Sequence, residues 1–488
     1  MRDYLKSRKD YFIILGLVLI CVFPLFKMEY STDTYRVYTI TLGGLAGTMF
    51  LNGRFITGAF ALIFERLSLS IESFYYTSYI LSIVFMSLAI YALYTILRGH
   101  MRRRLCFFIS FIAVFNICAI EYFLFIEKGA FCFSILMAIL ALKYFVLFLQ
   151  GNKNYLFLAF PCLILSAITY QIIPGVFISL SLPFIVKYSK SLKKFLLNNL
   201  FAILIYGSGT GIDYLIVKLN WDNQRVGSGI HLSNIWKLYS FTTNHFAFIF
   251  LYIGIIALSL GIFALVNKKR TGKYLTKASL IIYAKYLYIV LGAMAAAAIP
   301  FVFTDPAEVW IMFRVIYPLG ALPASILILS KYKKKCDTVC KNKQKLDRGA
   351  AVLLSVVILH VVFFNAMCFS RLINNEADKD LCFEIYGEIQ KYENESGNKI
   401  KEIAIYYDSS ITQRNKGVLL IGDCNVRALS RPWCDVIHFT ALTGRWFDKV
   451  EESKVNQEYK SYFASCSFDS FSTEQLIFDG STLHLCVY

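Results

Sequence analysis

The chain has 488 residues, of which 57% are hydrophobic and only 17% are charged. This composition excludes an ordinary soluble enzyme and is typical of a polytopic membrane protein. The formal net charge of +18 would suggest nucleic-acid binding in a soluble protein. Here, however, the basic residues cluster between apolar segments, where Lys and Arg determine membrane topology. We therefore expect a lipid bilayer around the chain and no nucleic-acid partner.

Long apolar segments predict where the chain crosses the bilayer. A span needs about 20 apolar residues, and on this measure the sequence predicts about eleven transmembrane helices. The predicted spans are residues 11–26, 74–97, 105–126, 130–149, 155–171, 172–186, 196–217, 246–266, 280–303, 310–329 and 350–368. The first span has no small-residue cleavage site, so we expect it to remain as an anchor. The fifth and sixth spans are short, which leaves a single bent or re-entrant element as an alternative.

Clusters of Lys and Arg predict the orientation of these spans. The clusters lie at residues 2–9, 98–104, 187–194, 268–277 and 331–348. All of them fall on the same side of the membrane if eleven spans are correct. Because short loops rich in Lys and Arg stay in the cytoplasm, the N-terminus is predicted to be cytoplasmic. Asp33, the loop 221–245 and everything beyond Arg371 are then predicted to lie outside.

An acidic and aromatic segment at residues 29–36 follows the first span. We interpret it as an active site, because a carboxylate at the membrane surface can activate an acceptor from water while a lipid-linked donor arrives from the bilayer. Residues 33–50 and 54–69 contain too many Gly, Thr and charged positions to cross, so we predict two helices along the outer interface. An Asn-Gly-Arg turn at residues 52–54 separates them and would present Asp33 and Arg54 to one cavity.

The tail, residues 371–488, is richer in charged residues, Asn and Ser than the membrane domain of residues 1–370. It predicts a small extracytoplasmic α/β domain, with a helix at 377–393 and strands that include 403–407, 418–421 and 482–488. A polar and aromatic cluster at residues 423–435 could bind an acceptor chain, although turn formation explains such residues more simply. Two cysteine pairs could form disulfides in this compartment, Cys424 with Cys434 or Cys466 with Cys486.

Several short motifs occur in a particular order along the membrane domain. They are the segment 29–36, the Asn-Gly-Arg turn, a Tyr-Gln pair at 170–171 and Arg314 near the outer end of a late span. In this order they resemble the bacterial GtrII-type glucosyltransferases, which belong to the GT-C superfamily of polyprenyl-phosphate-dependent enzymes. The similarity covers roughly residues 29–314. Members typically carry two adjacent acids after the first span, whereas this chain has Thr32-Asp33.

The resemblance implies a GT-C-like membrane fold and transfer of glucose from undecaprenyl-phosphate glucose to a surface polysaccharide such as O-antigen. This serotype-converting modification takes place on the outer face of the bacterial inner (cytoplasmic) membrane. Asp33 is then expected to be the general base of an inverting displacement, with Glu29 as a helper.

Cationic and polar residues supply the rest of the expected site. The residues expected to bind the donor phosphate, because guanidinium and ammonium groups bind phosphate oxygens, are Arg54, Arg314, Arg36 and Lys128. The residues expected to bind sugar or acceptor are Asn52, Tyr170, Gln171, Glu121, Glu127 and Trp221. Each also has a structural explanation: solvated loop acid, headgroup anchor, interfacial aromatic or ion-pair partner.

Other functions and cofactors stay open at this point. A polysaccharide polymerase would share the outward site and the lipid-linked substrate. A transporter or flippase for lipid-linked sugars would also have many spans and buried charges, although internal repeats are not found. The scattered His residues and the lack of a Gly-rich phosphate loop argue against a metalloprotease or an ATPase. No cofactor is identified, and a divalent cation at Asp33 stays open without a visible second set of ligands.

Overall fold

The computed structural model describes residues 2–220, 229–245, 277–307, 309, 311–332, 348–410, 415–421 and 424–488. They form a mainly helical protein with a small sheet near the C-terminus. The helices are α1 (Arg2–Val22), α2 (Thr32–Leu51), α3 (Phe55–Arg66), α4 (Ile71–Leu97), α5 (Arg103–Val114), α6 (Ile120–Phe123), α7 (Lys128–Leu149), α8 (Tyr155–Ala167), α9 (Gly175–Tyr188), α10 (Leu192–Asn220), α11 (Ser233–His245), α12 (Lys277–Val302), α13 (Tyr317–Gly320), α14 (Leu322–Lys331), α15 (Arg348–Ser396), α16 (Asp435–Thr443) and α17 (Gln457–Ser465).

Seven helical segments of the described chain are long and apolar enough to cross a membrane. They are Lys9–Phe26, Ile71–Leu97, Lys128–Leu149, Leu192–Leu219, Leu280–Val302, Phe313–Lys331 and Leu353–Ser396. An eighth candidate is the pair Arg103–Val114 and Ile117–Phe123, which is bent by 45°. These helices indicate a membrane-embedded protein.

The predicted count of eleven spans is not confirmed. The fifth and sixth predicted spans are two short helices, α8 and α9, of 13 and 14 residues. They are separate because the polar turn around Gln171 interrupts the apolar run and Pro174 occupies the N-cap of α9. The eighth predicted span, residues 246–266, lies outside the described residues.

The two helices predicted after the first span are present as α2 and α3, which pack against each other. Ser31 caps α2, since its hydroxyl accepts a hydrogen bond from the Thr34 amide at 3.2 Å. The predicted turn lies between the two helices, with Gly53 at a φ of +74°. A side chain at Gly53 would come within 2.4 Å of Val217, so the turn lies directly against α10.

The tail contains a four-stranded sheet of β1 (Glu402–Tyr407), β2 (Asp448–Lys449), β3 (Leu476–Asp479) and β4 (Thr482–Val487) in the order β2-β1-β4-β3. β1 runs parallel to β2 and β4, whereas β3 is antiparallel to β4. The predicted strands at 403–407 and 482–488 are therefore confirmed. Residues 418–421 form no strand, because only Ile421 makes an isolated bridge, to the nearby Cys424.

One helix joins the tail to the membrane part without a break. α15 has 49 residues, so the predicted boundary at residue 371 falls inside it. Its first half belongs to the membrane core, where Phe364 stacks on Phe115 with ring centroids 4.2 Å apart. Its second half packs Ile385 and Ile389 against the sheet. The tail also contacts α2 through α16, so it lies close to the segment that carries Asp33.

Candidate functional site

A cavity of about 1110 Å³ lies between the membrane helices and the tail. Its walls come from α2 and the Asn-Gly-Arg turn, α10, α12, the segment before α13, and the tail loop that contains Arg431 and Trp433. Seven of the residues predicted for the site line this cavity: Asp33, Arg36, Asn52, Arg54, Tyr170, Gln171 and Arg314. The volume is slightly above that of ordinary ligand pockets, which reach about 1,000 Å³.

Asp33 occupies the first turn of α2. Its side chain is exposed and lines the cavity, whereas Thr34 and Tyr35 on the other faces of the same turn are buried. The Ser31 cap fixes the start of the helix and so fixes the face of the first turn from which Asp33 projects. Arg36 follows one turn later and is also exposed to the cavity. The aspartate can therefore be reached by a molecule that enters the cavity.

Tyr170 joins two guanidinium groups that also line the cavity. The Arg54 guanidinium carbon lies 4.6 Å from the centre of the Tyr170 ring, and the Arg314 Nε donates a hydrogen bond to the Tyr170 hydroxyl at 3.0 Å. Arg314 also forms an ion pair with Glu121, with Nη1 and Oε1 2.5 Å apart. Because Glu121 also accepts from the Arg314 backbone amide at 2.6 Å, this guanidinium is held in one orientation.

Several polar residues at the Asn-Gly-Arg turn form the cavity wall beside Arg54. The Gln171 amide donates to the Asn52 carbonyl at 2.6 Å, and both residues line the cavity. Asp213, on α10, faces the same turn, because a side chain at Gly53 would lie 2.9 Å from its Oδ1. Asp213 was not predicted as a site residue. Its position inside an apolar span was the signal that could have identified it.

Glu29 and Lys128 do not line the cavity. Their side chains are completely buried and form an ion pair, with Nζ and Oε1 3.2 Å apart. The Lys128 ammonium also lies 3.8 Å above the centre of the Tyr75 ring, and the Arg371 Nε is 3.8 Å from the other Glu29 oxygen. The predicted helper and the predicted phosphate ligand thus neutralise each other in the protein interior. Arg371 does line the cavity and was missed.

Glu121 and Glu127, predicted to bind sugar, are buried behind the cavity wall. Glu121 forms an ion pair with Arg314, as described above. Glu127 lies in the electrostatic field of Asp33, Arg54 and Arg314. Burial, together with the nearby Asp33 carboxylate, raises the pKa of Glu127 to about 6. Trp221, the remaining predicted sugar-binding residue, lies outside the described residues.

Among the residues that the structure describes, exposed apolar side chains at α10 and the end of α12 line one side of the cavity. Ile203 on α10 is 61% exposed and Phe303, just after α12, is 44% exposed, yet both line the cavity. α10 and α12 meet near one end, where the Tyr288 hydroxyl donates to Asn199 at 2.6 Å. They approach again where Tyr214 and Phe303 have ring centroids 6.0 Å apart. The stretch of α10 between these contacts is roughly 22 Å long at 1.5 Å per residue.

The described residues contain no group of three or more His, Cys, Asp or Glu arranged to hold a metal ion. All the cysteines in that part of the chain are free. Neither of the two suggested disulfides, Cys424–Cys434 and Cys466–Cys486, is formed in this structure. Cys434 lies in the interior against Tyr35, and Cys486 is buried in the sheet beside Tyr406 and Phe463.

Searches of protein-family models, curated proteins and solved structures found no match to this chain.

Proposed function

We propose that the protein is an inverting, GT-C-like glycosyltransferase that moves glucose from undecaprenyl-phosphate glucose to a surface polysaccharide such as O-antigen. The observation that carries this proposal is the composition of the cavity. One chamber contains an exposed aspartate, two guanidinium groups around Tyr170, and exposed apolar side chains at α10 and the end of α12. A sugar phosphate on a long lipid needs these three surfaces together.

The charges of the cavity suit a donor phosphate. Five arginines line it, namely Arg36, Arg54, Arg314, Arg371 and Arg431, against two aspartates, Asp33 and Asp213. Glu121 and Glu29 lie behind the wall next to Arg314 and Arg371, so the guanidinium groups matter as N–H donors that face the cavity, and a phosphodiester is a good acceptor for such donors. Arg54 and Arg314 are the two that the structure brings to one aromatic ring. We assign the donor phosphate to them, because Arg can present two parallel N–H donors to phosphate oxygens.

The exposed apolar side chains suit the lipid part of the donor. Ile203 lies on one candidate span and Phe303 directly follows another, and both line the cavity. Apolar side chains at such a position contact lipid chains without the cost of desolvating polar groups. The polyprenyl chain would lie between α10 and α12 and its phosphate would reach inward to the guanidinium pair. With a cytoplasmic N-terminus, the Asp33 end of the cavity faces the outside, where the polysaccharide is found.

Asp33 would act as general base in a single displacement. It accepts the proton of an acceptor hydroxyl while that oxygen forms a bond to the anomeric carbon of glucose. The bond between the anomeric carbon and the phosphate oxygen breaks, and its electron pair leaves with undecaprenyl phosphate. Arg54 and Arg314 stabilise the negative charge that develops on the phosphate. The configuration at the anomeric carbon is inverted.

The test is in vitro transfer with a panel of undecaprenyl-phosphate sugars, comparing wild type with Asp33→Asn. We expect one glucosyl unit to be added by wild type and a loss of transfer on the order of 100-fold to 10,000-fold in the variant. Donor binding should change little, because the phosphate site is intact. A matched control is Glu72→Gln, which alters an acid in the first turn of α4 that is outside the cavity.

Three results would contradict the proposal. If Asp33→Asn transfers as fast as wild type, Asp33 is not the base. Addition of many sugars to one acceptor would instead indicate a polymerase. Movement of the lipid-linked sugar across vesicle membranes, with no transfer from any donor, would indicate a flippase.

A further inference from the structure

Asp213 is a buried acid that has no role in the displacement proposed above. Only 5% of its surface is exposed, and it lies on the apolar helix α10, within the candidate span Leu192–Leu219. Its Oδ1 is buried and has no donor at full hydrogen-bond geometry among the residues that the structure describes, although the Gln171 amide is near enough to act on the carboxyl. Nevertheless Asp213 lines the cavity. A buried carboxylate oxygen without a hydrogen-bond donor lowers the stability of the folded protein. A bound ligand that donates a hydrogen bond to this oxygen would remove that cost.

The surroundings of Asp213 point to the chemical class of that ligand. Its polar neighbours are the Gln171 side chain and the Arg54 guanidinium, and the Asn52 side chain is on the same wall. A carboxylate and two amides in one place offer several hydrogen-bond acceptors and donors. Sugar hydroxyl groups both donate and accept, and an unpaired carboxylate oxygen needs a donor.

The position of Asp213 relative to the phosphate site is also favourable. Arg54 connects the two, because it acts on the Asp213 carboxyl and lies over Tyr170, which bonds to Arg314. A hexose attached to a phosphate between Arg54 and Arg314 would therefore have its ring within reach of Asp213. Asp33 also contributes to the field at the Arg314 guanidinium. A sugar on that phosphate would therefore be near both aspartates.

We infer that Asp213 accepts a hydrogen bond from one hydroxyl group of the donor hexose and thereby sets the sugar selectivity of the enzyme. This inference rests on the proposed function and extends it. A site built to bond a hydroxyl rejects the analogue that lacks it, because the buried polar group is then left unpaired. Selectivity for a hydroxylated sugar would come from α10, not from the helix that carries the base.

The experiment measures kcat/KM for polyprenyl-phosphate glucose and for the four donors that lack the 2-, 3-, 4- or 6-hydroxyl. We expect wild type to use one of these deoxy donors about 10-fold to 100-fold less well than glucose. In Asp213→Ala, kcat/KM for the glucose donor should fall by a similar factor, while kcat/KM for that deoxy donor should change little. The preference for glucose over the deoxy donor should therefore disappear for that one hydroxyl position and remain for the other three.

Controls separate recognition from stability. The ratio between two donors in one sample does not depend on how much protein is folded, and Asp213→Asn provides a second variant of nearly the same size. Ser208→Ala alters the same helix at a residue outside the cavity, where the hydroxyl bonds to Ile205, and should keep the wild-type ratios.

The outcomes distinguish the two proposals. If wild type transfers glucose but Asp213→Ala slows every donor equally, Asp213 is only a counter-ion for Arg54 and the inference is wrong. Unchanged rates for all donors would also overturn it. No transfer by wild type from any donor would overturn the proposed function, and the inference with it.

Discussion

Two ion pairs in the membrane part of this protein contain the same kinds of charge but are used differently. In one, Lys128 and Glu29 are both 0% exposed, and the ammonium is enclosed by a carboxylate and the Tyr75 ring. In the other, the Arg314 side chain is 10% exposed beside a buried Glu121, and Arg314 lines the cavity. A buried charge in an apolar segment therefore does not by itself mark a functional residue.

The difference follows from the number and arrangement of hydrogen-bond donors. An ammonium group is a compact charge, and in Lys128 it is satisfied by Glu29 and Tyr75. A guanidinium has five N–H donors in one plane, so Arg314 can bond to Glu121 and Tyr170 on one side and still face the cavity. We expect the first pair to serve stability and the second to serve the reaction.

Of the three changes that test this comparison, removal of Lys128 should have the largest effect, and it should act on stability. Lys128→Met leaves Glu29 buried with only the more distant Arg371, and breaking a buried pair in this way costs about 3–5 kcal/mol. We expect the free energy of unfolding to fall by this amount, measured in detergent by denaturant titration. Glu29→Gln combined with Lys128→Met should recover most of it and keep transfer per folded molecule within a few-fold of wild type. A Lys128→Met variant that is as stable as wild type but has lost transfer would contradict the assignment of Lys128 to stability.

Arg314→Lys should have the next largest effect, and it should act on transfer. Lysine keeps the charge next to Glu121 but cannot also bond to Tyr170 and face the cavity with a planar group. We expect kcat to fall about 100-fold, which corresponds to about 2.7 kcal/mol of transition-state stabilisation, with little change in stability. Arg445→Lys is a matched control, since Arg445 pairs with Glu393 in the tail, away from the cavity. Equal losses in both variants would show that Arg314 has only a structural role.

Substitution of Glu127 should have the smallest effect. It tests whether Glu127 belongs with the buried Lys128–Glu29 pair or with the residues that face the cavity. Glu127 precedes Lys128 in the chain but responds to Asp33, Arg54 and Arg314, and its pKa is raised to about 6. The folded protein therefore binds more protons than the unfolded chain between about pH 4.5 and 6. Its contribution to stability is greatest below pH 4.5 and is lost as the pH rises through 6, by about 2 kcal/mol. Thermal unfolding from pH 4 to 7 should show this decline in wild type and not in Glu127→Gln. A decline of the same size in both would assign it to another group.

Local patterns in the sequence predicted several elements of the structure correctly. The two helices after the first span and the turn at residues 52–54 are present, because Gly and Asn favour a turn whatever the rest of the chain does. The strands at 403–407 and 482–488 are present for the same kind of reason. The strand predicted at 418–421 was wrong, because a short apolar run forms a strand only when a neighbouring strand pairs with it.

The candidate site shows a similar division. The sequence identified Asp33, Arg54 and Arg314 as charged residues in unusual places, and all three line one cavity. By the same reasoning it selected Lys128 and Glu29, which are sealed in the interior. It missed Asp213 and Arg371, which come from distant helices and meet the others only in the folded chain.

The amino-acid sequence by itself determined that the chain is mainly helical, with helices apolar enough to cross a membrane, and it determined where charges and turns interrupt the apolar segments. These properties depend on hydropathy and on neighbouring residues alone. Only the tertiary structure decided which charges pair with each other and which face the cavity, because that depends on contacts between residues far apart in the chain. Lys128 and Arg314 look alike in the sequence, and they differ because folding placed Tyr75 over one and an open cavity beside the other.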